Sequence, residues 1–457
     1  MDNIIILSDD LTGANDSGVQ FAKRGIPTVV CIDDKQTIDP DVSGIAVVIN
    51  VESRSLLPDE AYSKWTQLLS TIEFSKFQVI MKKIDSTLRG NIGKEIEAML
   101  DSGKFDLAVV APAYPQKARW TVGGYQLLHD QLLEDSEISR DPKFPVTNSQ
   151  ISALIHEQTS LPVGEVGIRA VRSGKLEEQL NLLLQQGKRI VVADSATDGD
   201  LAIIAALFSQ AQTQMRVLWV GSAGLAEALA NRYPLLGFLP TPPSQRPVPV
   251  QAAPQSDRSA PLGQPAPAKS EQAAAPVLVA AGSVSQTTRL QVETLKQHGF
   301  RTLVIDPLLL LGTSAEEMAE LTQEARQMIA SGEDLVLTTD ISQAAKSQVA
   351  EYLQKAGLSV MQGGDQIADG IGRLAAAIIT NEALAGAVLT GGDIAYSTCT
   401  HLNIARLRII GEVEEGLPLC VAEGSLSVPL VTKAGAFGNP NSLLHAAQAI
   451  KLKRSQL

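Results

Sequence analysis

The sequence predicts an α/β protein with two domains, each a largely parallel sheet flanked by helices. Three observations support this fold class. The chain has 457 residues, more than the roughly 250 to 300 at which single hydrophobic cores usually split. Short apolar runs alternate with helical patterns in both halves of the chain. A long proline-rich stretch separates the two halves.

The apolar runs are too short for helices and too continuous for half-exposed strands, which predicts strands buried on both faces of a parallel sheet. In the first half they are residues 4–7, 45–49, 79–81, 107–110, 190–192 and 217–220, and in the second half 277–280, 303–305, 335–337, 387–389, 419–421 and 429–431. Helical spacing lies between them, at Ile92, Ile96 and Met99 and within residues 225–229 and 371–379. This alternation predicts βαβ units.

The stretch from Pro240 to Pro276 is rich in proline, alanine, glutamine and serine and nearly lacks large apolar residues. Such a composition cannot build a core and is typical of a flexible linker. We therefore predict a first domain of residues 1–236, a linker of residues 237–275 and a second domain of residues 276–457.

The composition favours a folded cytoplasmic protein. With 44% hydrophobic and 19% charged residues the chain can bury large cores. Its three cysteines, Cys31, Cys399 and Cys420, are too scattered for a disulfide framework, which indicates a reducing compartment. There is no apolar run of about 18 residues and no basic leader, so we expect no membrane span or secretion signal. A net charge of −12 argues against nucleic acid or anionic membrane as partners.

Ligands of open α/β sheets bind beyond the carboxyl ends of the strands. In the first half these ends carry charged and hydroxyl side chains that suit a small polar substrate. They are Asp9, Asp10, Arg54, Lys83, Asp85, Ser86 and Arg89. Arginine can grip a carboxylate with two hydrogen bonds, and lysine supplies a point charge. The simpler alternatives are that the aspartates or Ser86 only cap helices and that Arg54 is a surface residue.

In the second half the strand ends are rich in glycine, which lets a backbone approach phosphates closely. The three loops are Gly-Ser-Val-Ser from residue 282, Thr-Gly-Gly-Asp from residue 390 and Lys-Ala-Gly-Ala-Phe-Gly from residue 433. Each alone could be ordinary turn chemistry. The sequence contains neither GxxxxGK[ST] nor the HRD and DFG motifs of protein kinases. Three such loops in one half nevertheless favour a nucleotide site.

These motifs, in this order, resemble those of the four-carbon acid sugar kinases, which phosphorylate threonate, erythronate or 3-oxo-tetronate. The resemblance covers nearly the whole chain except the linker, and it includes Lys-Ile-Asp-Ser-Thr-Leu-Arg-Gly-Asn from residue 83 and Gly-Ser-Ala-Gly-Leu-Ala from residue 221. It implies an N-terminal acid-sugar domain and a C-terminal ATP domain. Where the family often has threonine after the Gly-Gly-acidic triplet, this chain has Ile394, which removes a hydroxyl group.

The resemblance and the residues together assign candidate roles. Substrate contacts are expected at Asp9, Asp10, Arg54, Lys83, Ile84, Asp85, Ser86 and Arg89. ATP contacts are expected at Ser283, Gly391, Gly392, Asp393, Ile394, Gly435, Ala436, Phe437 and Gly438. Lys83 is a candidate catalytic cation, and Asp10 or Asp85 would accept the proton of the reacting hydroxyl.

Phosphoryl transfer also calls for Mg²⁺, for which Asp393 is the candidate ligand unless it is a structural turn residue. The donor and acceptor must meet, so the active site should lie in a cleft between the domains.

Two other functions stay open at this point. One is an NAD(P)-dependent oxidoreductase of a small hydroxy acid, although no GxGxxG motif follows these strands. The other is a non-catalytic acid-sugar binding protein. A homo-oligomer is compatible with the sequence but not indicated by it.

Overall fold

The computed structural model describes residues 3–35, 44–141, 143–211, 216–232, 275–282, 285–312, 315–423 and 428–454. The predicted linker, apart from its last residue, and the candidate Ser283 lie outside these residues. Within them the protein is α/β, with one large and mostly parallel sheet flanked by helices and one small antiparallel sheet. No helix of the described chain is long and apolar enough to cross a membrane.

The first half contributes eleven strands and eight α-helices to the described structure. The strands are β1 (Asn3–Ser8), β2 (Thr28–Cys31), β3 (Ala46–Asn50), β4 (Phe77–Lys83), β5 (Leu107–Ala111), β6 (Arg119–Val122), β7 (Tyr125–Leu128), β8 (Gln131–Leu132), β9 (Val163–Val166), β10 (Ile190–Ala193) and β11 (Val217–Gly221). The helices are α1 (Leu11–Ala22), α2 (Pro58–Thr71), α3 (Ile92–Asp101), α4 (Ile151–Gln158), α5 (Ile168–Arg172), α6 (Leu176–Gln185), α7 (Asp198–Ala211) and α8 (Ala223–Arg232). Short 3₁₀ turns occur at Phe74–Lys76, Pro115–Lys117, Leu133–Asp135 and Glu137–Arg140.

The second half contributes seven strands and seven α-helices to the described residues. The strands are β12 (Val277–Ala281), β13 (Arg301–Ile305), β14 (Leu335–Thr339), β15 (Gly386–Thr390), β16 (Arg406–Glu412), β17 (Pro418–Glu423) and β18 (Pro429–Lys433). The helices are α9 (Gln286–Gln297), α10 (Pro307–Gly312), α11 (Ala315–Ala330), α12 (Gln343–Ala356), α13 (Val360–Asn381), α14 (Gly392–His401) and α15 (Ser442–Arg454).

Every apolar run predicted as a strand is a strand, and the three helical patterns lie in α3, α8 and α13. The strands that the sequence did not reveal are short or polar. β2 and β9 have four residues each, and β16 carries charged residues along one side. The small sheet β6–β7–β8 was also missed, because its strands have two to four residues each.

The two halves share one sheet, although the sequence predicted a sheet for each domain. The strand order is β13-β14-β12-β15-β18-β17-β16-β2-β3-β1-β4-β11-β5-β10-β9. Strand β2 pairs antiparallel with β16, so Leu407 of the second half lies opposite Val30 of the first. The joined strands are the adjoining edges of the parts of the sheet that each half contributes. Their pairing satisfies backbone groups that would otherwise be exposed at two sheet edges.

Helix α1 packs across the region where the two halves of the sheet join. It contacts β1, β2, β3 and β4 of its own half and also β16, β17, β18 and α14 of the second half. Three successive antiparallel pairings, β2 with β16, β16 with β17 and β17 with β18, separate the parallel strands of the two halves. The parallel strands of the first half therefore point in the opposite direction to those of the second half. Six strand steps separate β1 from β15, and a twist of roughly 20 to 25° per step turns the sheet by about 120 to 150°. A twist of this size can bring the carboxyl ends of both strand sets to one side, where the start of α14 faces the start of α1.

Candidate active site

The first cluster of the site surrounds the start of α1. Asp10 caps the helix by accepting a hydrogen bond from the backbone N–H of Gly13 at 2.9 Å. Arg54, in the loop after β3, donates from Nε and Nη2 to the two oxygens of Asp9 at 2.7 and 3.0 Å, and from Nη2 to Asp10 at 2.8 Å. Burial alone would raise the pKa of Asp9, but the Arg54 guanidinium outweighs it and holds the pKa below its ordinary value. The predicted residues Asp9, Asp10 and Arg54 therefore form one ion-paired unit.

Strand β4 ends in two lysines that have different surroundings, because neighbouring side chains of a strand point to opposite faces. Lys82 is fully buried, 2.5 Å from Glu95 and 4.5 Å from the ring centre of Trp65. Lys83 points to the start of α1, where its Nζ donates to the carbonyl of Ile84 at 2.9 Å. A Cβ on Gly13 would lie 2.9 Å from that Nζ. Lys83 makes no ion pair within the described structure, so its charge is available to a ligand.

The loop after β4 carries the remaining predicted substrate residues. Asp85 accepts from Thr87 at 2.6 Å and from Arg89 Nε at 2.5 Å. Burial would raise the pKa of Asp85, but Arg89 and Arg54 lower it far below the ordinary range. The carbonyl of Ser86 accepts from the amide of Gln126 at 2.8 Å.

Ile84 differs from its neighbours in this loop because its side chain is buried in the core. Only its backbone faces the site, where its carbonyl accepts from Lys83.

A buried lysine donates hydrogen bonds to the backbone of the glycine loop after β18. Lys433 Nζ donates to the carbonyls of Ala434, Gly435 and Phe437 at 2.8, 3.0 and 3.0 Å. The side chains of Ser285 and Thr288 at the start of α9 also donate to the carbonyl of Gly435, each at 2.8 Å.

In a trans peptide the N–H points away from the preceding C=O. Because the three carbonyls point toward Lys433, the N–H groups of Gly435, Ala436 and Gly438 point away from it, outward from the loop. N–H groups in this orientation are what an anion site requires.

A positive charge on Lys433 would favour anion binding at this loop. The residue is almost completely buried, and its partners are neutral carbonyl oxygens. Burial lowers the pKa of Lys433 to about 7. A bound anion would favour the charged form, so phosphate binding and protonation of Lys433 should support each other.

The second candidate loop forms the start of α14. Gly391 has φ of +105°, a conformation that favours glycine, and it precedes the helix N-terminus formed by Gly392 and Asp393. Ile394 is buried, and a Cβ on Gly282 would lie only 2.4 Å from its Cδ1. The side chain of Ile394 therefore packs in the core, and only its backbone can serve a nucleotide.

The two halves meet at these loops. A Cβ on Gly392 would lie 3.4 Å from both Asp10 Oδ2 and Thr12 Oγ1, so the start of α14 faces the start of α1. Lys143 of the first half pairs with Asp393 at 2.5 Å and with Asp365 at 2.7 Å. The predicted acceptor and donor residues thus lie on opposite sides of one junction.

Several residues of this junction were not identified from the sequence. They are Asp16, Lys117, Arg119, Lys143 and Glu415. Lys117 pairs with Glu415 at 3.2 Å across the junction. Burial raises the pKa of Asp16 to about 6; Lys83 and Lys117 oppose the shift, and Glu412 and Glu415 add to it. Only the tertiary structure brings these charges together, since no motif spacing connects them.

The metal candidate Asp393 is about half exposed and is paired with Lys143. Within the described residues no group of three or more His, Cys, Asp or Glu side chains is arranged to hold a metal ion. A Mg²⁺ ion that is bound mainly by substrate phosphates needs only one or two protein carboxylates, so a single Asp393 is compatible with that mode.

Comparison with known protein families identifies the class of protein to which this chain belongs. A model described as a sugar-binding N-terminal domain matches residues 4–229, and one described as a nucleotide-binding C-terminal domain matches residues 278–443. The glycine loops lie in the second match, and the charged strand ends lie in the first. The protein therefore belongs to a class that pairs a sugar-binding unit with a nucleotide-binding unit.

The relatives narrow this class to one family. The chain is 33% identical over 453 residues to the D-threonate kinase of Salmonella typhimurium, covering 98% of each chain. It is 31% identical to the D-erythronate kinase of Heliobacterium modesticaldum, with 97% of this chain and 95% of that protein covered. The crystal structure of Haemophilus influenzae protein HI1011 shares the fold, with a TM-score of 0.65, 23% identity and coverage of 98% and 99%. The chain belongs to the four-carbon acid sugar kinase family, which confirms the resemblance noted from the motifs.

Proposed function

We propose that this protein is an ATP-dependent kinase that phosphorylates a hydroxyl group of a four-carbon acid sugar such as threonate, erythronate or 3-oxo-tetronate. One observation carries the proposal: two loops of the second half lie against the first half. The helix start at Gly392 faces Asp10, and Phe437 of the glycine loop lies under Lys117 and Arg119. A phosphate donor bound on one side would therefore lie next to an acceptor bound on the other.

The first half would bind the acid sugar. Lys83 is the strongest candidate for its carboxylate, since it is buried and makes no ion pair in the described part of the chain. Arg54 is already committed to Asp9 and Asp10, and Arg89 to Asp85 and Asp141. We expect these two arginines to position the carboxylates of the site and to use their remaining N–H groups for substrate oxygens. The N–H of Ile84 and the carbonyl of Ser86 are already bonded to Gly221 and Gln126, so the second lone pair of the Ile84 carbonyl and the N–H and hydroxyl of Ser86 would bind the hydroxyl groups.

The second half would bind the nucleotide, through residues 435–438, the start of α14 and Ser283, which lies outside the described residues. Mg²⁺ would be held near Asp393 and would neutralise phosphate charge. The matches to a sugar-binding and a nucleotide-binding unit support domains of residues 1–236 and 276–457 joined by the linker.

The proton acceptor stays a prediction between Asp10 and Asp85. The strongly lowered pKa of Asp85 makes it a weak base, because a carboxylate held ionised by Arg89 and Arg54 binds a proton poorly. Asp10 faces Gly392 across the junction and is the better placed of the two.

The test is release of ADP from ATP in the presence of a panel of tetronates, measured for the wild type and for Lys83→Met. We expect turnover with at least one tetronate, and a loss of roughly 10² to 10³ in kcat/KM for the variant with ADP affinity unchanged. Loss of ADP binding by Lys83→Met would show that the division between the halves is wrong. Thermal stabilisation by NAD but not by Mg-ADP would favour an oxidoreductase instead. Tight tetronate binding without turnover would favour a binding protein.

A further inference from the structure

Arg119 is placed at the junction by the backbone around β6. The N–H of Tyr114 donates to the carbonyl of Arg119 at 2.9 Å, and the N–H of Arg119 donates back at 3.1 Å. Between them Ala118 adopts φ of +55°, an uncommon conformation for a residue with a Cβ. This tight loop follows the carboxyl end of β5 and turns the Arg119 side chain toward the glycine loop of the second half.

The guanidinium of Arg119 lies against that loop. Its Cζ is 5.3 Å from the ring centre of Phe437, and its Nη1 donates to the carbonyl of Lys117 at 2.6 Å. Phe437 is itself held in place, since its carbonyl accepts from Lys433 and from Gln291, each at 3.0 Å. Arg119 therefore belongs to the first half by sequence but contacts the proposed nucleotide loop.

Arg119 differs from the neighbouring cations because it has no carboxylate partner among the described residues. Arg54, Arg89, Lys117 and Lys143 each have a carboxylate within 4 Å, whereas Arg119 makes no ion pair with a described residue. Its Nε is buried and lacks a hydrogen-bond partner within the described structure. Burial lowers the pKa of Arg119, and the charges of Asp85 and Asp16 act against that shift without forming an ion pair. A partly buried guanidinium whose buried Nε has an unused donor is costly unless an anion binds it.

We propose that Arg119 is a catalytic residue that binds the phosphoryl group while it passes from the nucleotide to the acid sugar. The inference rests on the proposed kinase function. In the step, the acceptor hydroxyl oxygen bonds to the terminal phosphorus, and the bond from that phosphorus to the bridging oxygen breaks. The bridging oxygen keeps the electron pair in ADP, and the hydroxyl proton passes to the acceptor carboxylate proposed above. Arg119 supplies positive charge and N–H donors to the equatorial oxygens.

The position favours the phosphoryl group over the carboxylate of the acid sugar. Arg119 contacts Phe437, which lies between the outward N–H groups of Ala436 and Gly438, where the phosphates are expected. Lys83 is already available for the sugar carboxylate on the other side of the site. A residue that binds the transferred phosphoryl group should stabilise the transition state more than it stabilises the complex with substrates or with products.

The experiment compares Arg119→Lys and Arg119→Met with the wild type, using the tetronate that the wild type turns over. We expect kcat to fall roughly 10² to 10³-fold for Arg119→Met and less for Arg119→Lys, with KM for the tetronate and Kd for ADP within about threefold of wild type. Binding of ADP with aluminium fluoride, which mimics the transferred phosphoryl group, should weaken strongly in Arg119→Met. The control is Arg189→Gln, at the amino ends of β5 and β10, where the guanidinium donates to the carbonyls of Phe105 and Asp106. The kcat of this variant should equal that of the wild type.

Each other outcome overturns the inference in a recognisable way. A raised KM for the tetronate with kcat unchanged would place Arg119 at the sugar carboxylate. Equal affinity of wild type and Arg119→Met for ADP with aluminium fluoride would remove Arg119 from the transferred group. Loss of the fold in both variants would make Arg119 a structural residue. A wild type that turns over no tetronate would refute the proposed function itself, whereas an active wild type with active variants refutes only this inference.

Discussion

Replacing Lys82 by methionine should destabilise the fold, whereas the same change at the adjacent Lys83 should remove activity. Lys82 and Glu95 form a fully buried ion pair at 2.5 Å. Ser53 donates to Glu95 at 2.5 Å, and Lys82 lies over the Trp65 ring. Lys82→Met leaves Glu95 as a buried carboxylate without its cation, although methionine fills a similar volume. Lys83 has no ion-pair partner among the described residues.

The expected cost follows from the burial of this pair. Removing one partner of a buried ion pair typically costs about 3 to 5 kcal/mol, because the remaining charge stays desolvated. Burial already raises the pKa of Glu95 even with Lys82 beside it, so the unpaired carboxylate should protonate or disrupt the packing. Lys82→Met with Glu95→Gln removes both charges, and we expect most of the lost stability to return.

The assay is urea unfolding of the wild type, the two single variants and the double variant, with Lys83→Met as the matched control. The urea dependence of stability is about 1 to 3 kcal/mol per molar for small proteins and increases with chain length, so Lys82→Met should lower the midpoint by roughly 1 M. Lys83→Met should shift the midpoint much less and lose turnover instead. An unchanged midpoint for Lys82→Met, or a double variant no more stable than Lys82→Met, would refute the assignment of Lys82 to the core.

Two further predictions concern the junction and the second half. Because burial raises the pKa of Asp16 from 3.8 to about 6, its favourable contribution is complete below pH 3.8 and is lost as the pH rises through 6. The stability of Asp16→Asn relative to wild type should therefore rise between pH 4 and 6 and reach up to about 3 kcal/mol above pH 7. The measurement is paired thermal or urea unfolding of the two proteins across this range. A stability difference that stays constant with pH would contradict the raised pKa. Gly282→Ala should cost roughly 1 to 3 kcal/mol because its Cβ would lie 2.4 Å from Ile394 Cδ1. Adding Ile394→Val, which removes that methyl group, should restore part of the loss in urea unfolding, and no recovery would contradict the proposed clash.

The sequence was sufficient for the elements with strong local signals. The central strands of both halves are continuous apolar runs, and strands β1, β12 and β15 are buried along their whole length. The residues after them were found because a parallel sheet places ligand contacts at its carboxyl ends. Charged pairs such as Arg54 with Asp9 could be expected from that rule, since both follow neighbouring strands.

Local patterns could not separate the two lysines at the end of β4, because both occupy the same motif and differ only in what packs around them. They also could not find Arg119, whose importance comes from a contact with Phe437 more than 300 positions away in the chain. Nor could they show that Lys433 lies beneath the glycine loop, because its partners are backbone carbonyls rather than a charged residue at a fixed spacing.

The sequence by itself determined the α/β class, the division into a charged half and a glycine-rich half, and the family, because each rests on local composition or on motif order. Only the tertiary structure decided that the two halves share one sheet through β2 and β16, and that α1 packs against both halves with Asp10 next to Gly392. Burial and ion pairing depend on which distant segments pack together. Those long-range contacts decide which cations are satisfied by the protein and which are left for a ligand.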